Sequence, residues 1–271
     1  MPQSSSTASL DQSLVAMLPP EMRGKTFKAA ALFQPPYLLQ DSSGKITSGL
    51  DIDLFNEFEK RLGIKFQLVD TSFASILPGL QSGRWDLFGG MGDFKARHGS
   101  ATFVDINKVA SGVLAPAKSK KISSLTDLCG GSLGTIAGSI AGDIAANASK
   151  ACAGLGKPPI KLSVLPDKAA LELAMLSGRL DAYTDTNLVT QYTASVSSGK
   201  FVSFTLIPNA INGPDNITAI ALTKDNKLAP VLVATLKKMV TDGTYQKLYD
   251  KYGVGDLTLP IDKIKINGGL N

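Results

Sequence analysis

"LQSGRWDLFGGMGD", residues 80–93, returns in altered form as "MLSGRLDAYTDTN", residues 175–187. Each copy reads as a helix end closed by Ser-Gly-Arg, then a strand beginning at Asp, then a polar loop. What precedes each copy is again strand then helix, "GIKFQLVDTSFASILPGL" before the first and "PIKLSVLPDKAALELAM" before the second. Alternation of this kind predicts an α/β fold, and its recurrence further along the chain predicts two lobes of related architecture.

Outward from this echo, Asp11 to Leu18 reads as a short helix and "TFKAAALF" as a first strand ending at Gln34-Pro35-Pro36-Tyr37. "DSSGKITSG" is a hairpin-like loop. In "LDIDLFNEFEKRLG" the apolar residues Leu50, Leu54, Phe58 and Leu62 keep helical spacing until Gly63 stops them. Between the copies, "GTIAG" is strand-like, and Ser139 is placed to cap a helix running to Cys152. The tail, "NITAIALTKDN" and then "LAPVLVATLKKMVTDGTYQKLYDKYG", reads as a strand and two helices that pack back on the first lobe.

In open α/β sheets, ligands bind outside the carboxyl ends of the strands. The loops after the two echoed strands are therefore the candidate site. In the first, Gly89, Gly90 and Gly92 let backbone N–H groups approach a ligand, and Arg97 behind them is suited to clamp an anion. In the second stands Asp185. Facing each other across a cleft, this cation and anion would hold a zwitterion, and the turn at Ser139 adds a further helix N-terminus facing the ligand. Ordinary roles exist beside these: Arg97 as a helix-surface partner of Asp93, Asp185 as the cap of a helix from Thr186 to Tyr192, Phe73 as core.

Composition narrows the classes. The chain has 271 residues, 44% hydrophobic and 19% charged, with a formal charge of +5. Its lysines are dispersed, and no basic run is interleaved with aromatics, so no nucleic-acid partner is expected. The single histidine, His98, removes His-cluster metal sites and most His-based triads, and reads as a surface residue. No cofactor or metal constellation is expected. Cys129 and Cys152 form no C-x-x-C motif; the pair is read as one disulfide ahead of two buried thiols, which would imply an oxidising compartment. The opening "MPQSSSTASLDQSLVAMLPPEMRGK" lacks a charged segment followed by a long apolar run. It reads as a polar leader without a signal peptide, suiting a cytoplasmic N-terminus or the mature start of an exported protein. No stretch approaches membrane-spanning length.

In this order, the segments "QPPYLLQDSSGKITSGLDIDLFNEFEKRLGIKFQLVDTSFASILPGLQSGRWDLFGGM", the Arg97 turn, "DLCGGSLGTIAGS", "SGRLDAYTDT" and "DGTYQKLYDKYG" resemble the bacterial amino-acid-binding proteins of ABC importers, the solute-binding family 3, over about residues 27–253. The resemblance implies a type II periplasmic binding protein fold: two α/β lobes joined by two crossover strands and closing like a hinge over a cleft. It divides the chain into an N-terminal leader and helix (1–26), a discontinuous lobe 1 (27–114 and 217–271) and lobe 2 (115–216). "VLAPAK" (113–118) and "NITAI" (216–220) are the implied hinge segments.

Carried over residue by residue, Arg97 falls on the arginine that grips the ligand α-carboxylate, and Asp185 on the aspartate that receives the α-ammonium. Gly90 and Gly92 lie where backbone groups touch the ligand, and Ser139 falls in a hydroxyl-bearing turn that completes the carboxylate site. Phe73 and Gln34 fall on flanking positions. Three departures stand out: Phe94 where the family usually carries a Thr that caps the helix bearing the arginine, a cap that Asp93 is expected to supply instead; Ile140 where a second Thr is common; and Gln34 where an aromatic is commoner. The resemblance implies a periplasmic, monomeric receptor that passes a small amino acid or derivative to an ABC permease. A cationic side chain is disfavoured, because "AAALFQ" offers no pocket carboxylate, and a neutral or bulky one is favoured. The competing expectation is a lyase like the cyclohexadienyl dehydratases, with Asp185 as acid and Arg97 as anchor. A sensor domain would need an output module, which this sequence does not carry.

Overall fold

The computed structural model describes residues 10–213 and 216–269. The expected leader, residues 1–9, lies outside the described residues. The echoed signature does the same work twice. Ser82 and Ser177 close their helices, and Gly83 and Gly178 follow at φ +69° and +73°, a left-handed conformation that costs glycine little. Asp86 and Asp181 then accept the backbone N–H of Lys28 (2.8 Å) and of Ser132 (2.7 Å) in the adjoining strands. A helix exit and a strand entry are thereby fixed in each lobe by the same three residues in the same order.

Each lobe is built on a five-stranded sheet. In the first, Lys65–Asp70, Thr26–Ala31 and Leu87–Gly92 run parallel, with Thr26 opposite Lys65 and Ala29 opposite Leu87. Asn216–Thr223 then joins antiparallel and is flanked by Ala101–Val109. In the second, Lys161–Leu165, Ser132–Ile136 and Ala182–Thr186 are the parallel strands, followed by Ser111–Pro116 and Phe201–Thr205, both antiparallel pairings. The echoed strands, Leu87–Gly92 and Ala182–Thr186, hold the same third place in both sheets.

In each sheet the fourth strand enters from the other side of the molecule's division. The first crossing is at Ala110, ahead of the Val113–Lys118 segment, because Ser111 already pairs with Thr186 in the second sheet while Val109 pairs with Asn216 in the first. Asn187 clamps this crossing from both sides, donating its N–H to the Ala110 carbonyl (2.8 Å) and accepting the Ala110 N–H on Oδ1 (3.1 Å). The return crossing lies between Thr205 and Asn216.

Helices cover both faces of both sheets. Leu50–Leu62, Ala229–Thr241 and Thr244–Lys251 close one face of the first, where Phe58, Leu54, Leu232, Tyr245 and Tyr249 are buried together. The tail thus packs on the first lobe as expected, and the short helix Gln12–Met17, capped by Asp11, joins that core through Leu14. Ile76–Gln81 covers the opposite face over Trp85 and Phe88. In the second lobe Ala141–Gly154 covers one face, and Lys168–Leu176 and Asn187–Val196 the other. Cys129 and Cys152 are bonded, tying the turn before strand Ser132–Ile136 to the end of helix Ala141–Gly154.

Candidate binding cleft

Both echoed strands end at one cavity between the lobes. It holds about 830 Å³ of empty space, its open mouth included. From lobe 1 come Gln34, Phe73, Gly90, Gly92, Phe94 and Arg97; from lobe 2 come Ser139, Ile140 and Asp185. The structure therefore brings these nine residues to one cavity, while Gly89, grouped with Gly90 and Gly92 in the sequence, does not line it and packs against Asp51 instead.

Arg97 sits at the end of a single 3-10 turn, Lys95–Arg97. Among the described residues it forms no ion pair. Its Nη1 donates to the Gly92 carbonyl (3.0 Å), and its guanidinium lies 5.1 Å from the centre of the Phe94 ring. Burial lowers its affinity for the proton, partly opposed by Asp143 and Asp93. Phe94 is buried, and its ring occupies the space a side chain on residue 92 would need: a Cβ on Gly92 would stand 2.6 Å from Phe94 Cε2. Gly92 and Phe94 are thus one device, a missing side chain and the ring that fills its place beneath the guanidinium.

Four local expectations are corrected. Asp93 does not cap the Arg97 turn, whose first residue has no side-chain cap. Its buried carboxylate instead accepts the Gly269 N–H (2.8 Å) and pairs with His98 Nε2, so His98 is a partner of a buried acid rather than a free surface residue. Ser139 does not cap the following helix. Its hydroxyl donates to the Ile136 carbonyl (2.8 Å), and Ile140 takes the cap position with no side-chain bond. The helix after Asp185 is capped by Thr186, whose Oγ1 accepts the Val189 N–H. Asp185 is left to face the cavity. Its side chain's one hydrogen bond among the described residues is from the Thr186 N–H (2.7 Å), and burial raises its pKa, opposed by Lys168.

The remaining walls were not singled out from sequence. Ser111, Thr184, Asn216 and Thr218 line the cavity at the crossings and strand ends. Polar residues inside otherwise apolar strands were the available signal. Gln34 is 7% exposed, and its Oε1 has no hydrogen-bond partner among the described residues. Asp51 lies behind Gly89, where an added Cβ would stand 2.3 Å from its Oδ2. Neither of its carboxylate oxygens has a hydrogen-bond partner among the described residues, and burial pushes its pKa up to about 8. Lys168 of lobe 2 also escaped notice. It is 2% exposed, and its Nζ reaches across to the Pro35 carbonyl of lobe 1 at 3.4 Å.

Two α/β lobes with a half-buried cation and a half-buried anion converging on the cleft define a class of ligand-capturing proteins. The chain belongs to the bacterial extracellular solute-binding proteins, family 3, whose profile matches residues 29–255. Among its relatives, the arginine-binding protein ArgT of Corynebacterium glutamicum is 24% identical over 227 residues, 81% of this chain and 71% of that one. The arginine-binding extracellular protein ArtP of Bacillus subtilis is 26% identical over 77% of this chain and 78% of its own. Among solved structures, an ancestral arginine-binding protein bound to glutamine superposes with a TM-score of 0.71 at 28% identity, over 85% of this chain and 98% of that one. The ancestral amino-acid-binding protein AncCDT-1, a precursor of cyclohexadienyl dehydratase, gives 0.68 at 26%, over 89% and 98%. The fold is the type II periplasmic binding protein fold that the sequence implies, and the chain is a substrate-binding protein of the amino-acid ABC transporter family.

Proposed function

We propose that this protein is a periplasmic, monomeric receptor that captures a small amino acid or amino-acid derivative with a neutral or bulky side chain and delivers it to an ABC permease. The observation that carries this reading is the convergence of Arg97 and Asp185, from opposite lobes, on one cavity in which neither has an ion-pair partner among the described residues. Arg97, over the Phe94 ring, takes the ligand carboxylate, and Asp185 takes the N–H groups of the amino end. The lobes close by rotation about Ala110 and the return crossing, and the ligand shifts the population towards the closed form through contacts that only the closed form offers.

The side-chain preference follows from the walls. Phe73, Ile136, Ile140 and Ile144 are apolar, and Asp185 is the one carboxylate lining the cavity among the described residues. With Asp185 engaged by the amino end, a guanidinium or ammonium side chain finds no counter-ion. Arginine, which names the two relatives, is disfavoured here for that reason.

A lyase reading is supported by the raised pKa of Asp185, which suits a proton donor. It lacks a second acid or base among the lining residues. A thermal-shift screen against amino acids, their conjugates and simple carboxylates, with mass spectrometry of each hit, separates the two. A ligand at 100 times its dissociation constant adds about 2.7 kcal/mol of stability. A neutral amino acid or derivative recovered unchanged is the expected result; a hit consumed by the protein makes Asp185 a catalytic acid, and stabilisation by arginine alone overturns the side-chain assignment.

A further inference from the structure

The strand order of the first sheet ranks the cavity's lobe 1 residues in space. Phe73 follows the edge strand Lys65–Asp70, and Gln34 follows the next, Thr26–Ala31. Gly90 and Gly92 end the third, Leu87–Gly92, which leads to Arg97; Thr218 and Asn216 open the fourth, beside the crossing at Ala110. The second sheet ranks Ser111, Asp185 and Ile136 outward from that same crossing. The outer ends of the two ranks face each other, since a Cβ on Gly138, just past Ile136, would stand 3.0 Å from the Cα of Ala74, next to Phe73. A ligand whose head lies between Arg97 and Asp185 thus has the crossing on one side and, for its tail, Gln34, Phe73 and Ile136 on the other.

Most polar side chains lining the cavity are already engaged by the protein. Thr184 donates to the Gly112 carbonyl (2.9 Å), Thr218 bonds with the Tyr37 hydroxyl (3.2 Å), and Asn216 Oδ1 accepts the Ile217 N–H (2.9 Å). Ser139 and Thr186 are held by their own turns. Gln34 differs from all of these. Its backbone is tied at both groups, the N–H donating to the Leu38 carbonyl (3.2 Å) and the carbonyl accepting the Leu38 N–H (3.0 Å). The residue is 7% exposed, yet its Oε1 is closed to bulk water and meets no donor among the described residues. A buried amide left in this way is costly, and the space it borders is the cavity. Phe73 and Ile136 beside it are apolar, and Lys168, whose Nζ is turned to the Pro35 carbonyl, does not line the cavity.

We infer that Gln34 is the specificity-determining residue of the outer half of the cleft and selects a primary carboxamide on the ligand: an amino acid or derivative whose tail is a short hydrocarbon spacer ending in that group. This rests on the receptor reading above and narrows its neutral side chain to a polar one. Two primary amides pair through one N–H···O=C bond in each direction, and the pair forms whichever way round the Gln34 amide lies. Phe73 and Ile136 cover the spacer. An apolar tail of the same length leaves the Gln34 amide unpaired, and a charged tail brings its charge to a wall with no counter-ion.

The test is calorimetric titration of the whole protein with glutamine, asparagine, methionine and glutamate. The tighter of the two amides is expected to bind about tenfold tighter than methionine and than glutamate, or 1.4 kcal/mol. In Gln34→Leu and Gln34→Met, folded by circular dichroism, the amide-to-methionine ratio is expected to fall towards unity; a side chain that only supported the fold would shift all four ligands alike. A smaller wild-type ratio, or a preference for methionine or glutamate, overturns the inference and leaves the receptor reading intact. An unchanged ratio in both folded variants overturns the role of Gln34. Binding of none of the four compounds sinks the receptor reading and the inference together.

Discussion

The guanidinium of Arg97 is half-buried and holds one backbone carbonyl and one aromatic face in place of part of its water. A ligand carboxylate completes it, and removing the arginine leaves that carboxylate desolvated and unpaired. Arg97→Ala is therefore expected to lose about 2–5 kcal/mol of binding, about thirtyfold or more in affinity, by calorimetry. Retained affinity in a folded Arg97→Ala variant would remove Arg97 from the site. Asp51 poses the opposite case, a buried carboxyl with no partner. Its pKa of about 8 in the folded protein lies above the ordinary value of about 3.9 in an unfolded chain. Between these values the folded state holds a proton that the unfolded state has released, so this group's contribution to stability declines as pH rises from about 4 to beyond 8. Asp51→Asn removes that component. Thermal melts are expected to show a smaller loss of Tm between pH 5 and 8 in the variant than in the wild type; parallel curves would mean that Asp51 is ionised and satisfied.

At the scale of elements, the strand Leu87–Gly92 is built around what its glycines omit. A Cβ at Gly89 meets Asp51, and one at Gly92 meets the ring beneath Arg97. Gly89→Ala is expected to cost about 1–3 kcal/mol, as overpacking does elsewhere, and to lower Tm by several degrees. Gly92→Ala is expected to act chiefly on affinity by displacing Phe94 and the guanidinium it supports, a split that paired melting and titration experiments read directly. These close approaches explain the limits of the sequence. Ser-Gly-Arg-x-Asp was legible because its work is local: a helix end, a left-handed glycine and a carboxylate on the next strand. Arg97 and Asp185 were legible because they follow such signatures. Lys168 was not, because its meaning lies in Pro35 of the lobe opposite, which a helical pattern does not reveal. The cap roles given to Asp93, Ser139 and Asp185 were misplaced for a related reason. Each has the right side chain near a helix start, but Asp93 is held by the Gly269 N–H and His98, and Ser139 by its own turn.

At the scale of the molecule, two of the places where the lobes meet among the described residues are small contacts across the cleft. One is Lys168 on Pro35; the other is Gly138, where an added Cβ would stand 3.0 Å from the Cα of Ala74. Gly138 has φ +80° and Ala74 is exposed, so the second contact is best probed from the alanine side. Ala74→Phe is expected to prop the lobes apart without disturbing either core. Small-angle scattering would show a radius of gyration that no longer contracts on ligand addition, beside an unchanged melting curve for the ligand-free protein. The Cys129–Cys152 bond acts within one lobe alone. Its reduction is expected to cost about 3 kcal/mol in denaturant titrations, the loss falling on lobe 2.

The interleaving of the two sheets has a consequence for synthesis. The strand Asn216–Thr223 is wedged between Leu87–Gly92 and Ala101–Val109, so the first sheet has two open edges at its centre until that late segment leaves the ribosome. The second sheet draws all its strands from one unbroken run, Ser111 to Thr205. The half of the molecule begun first is therefore finished last, and through that interval its exposed strand edges are the part of the nascent chain most in need of a chaperone.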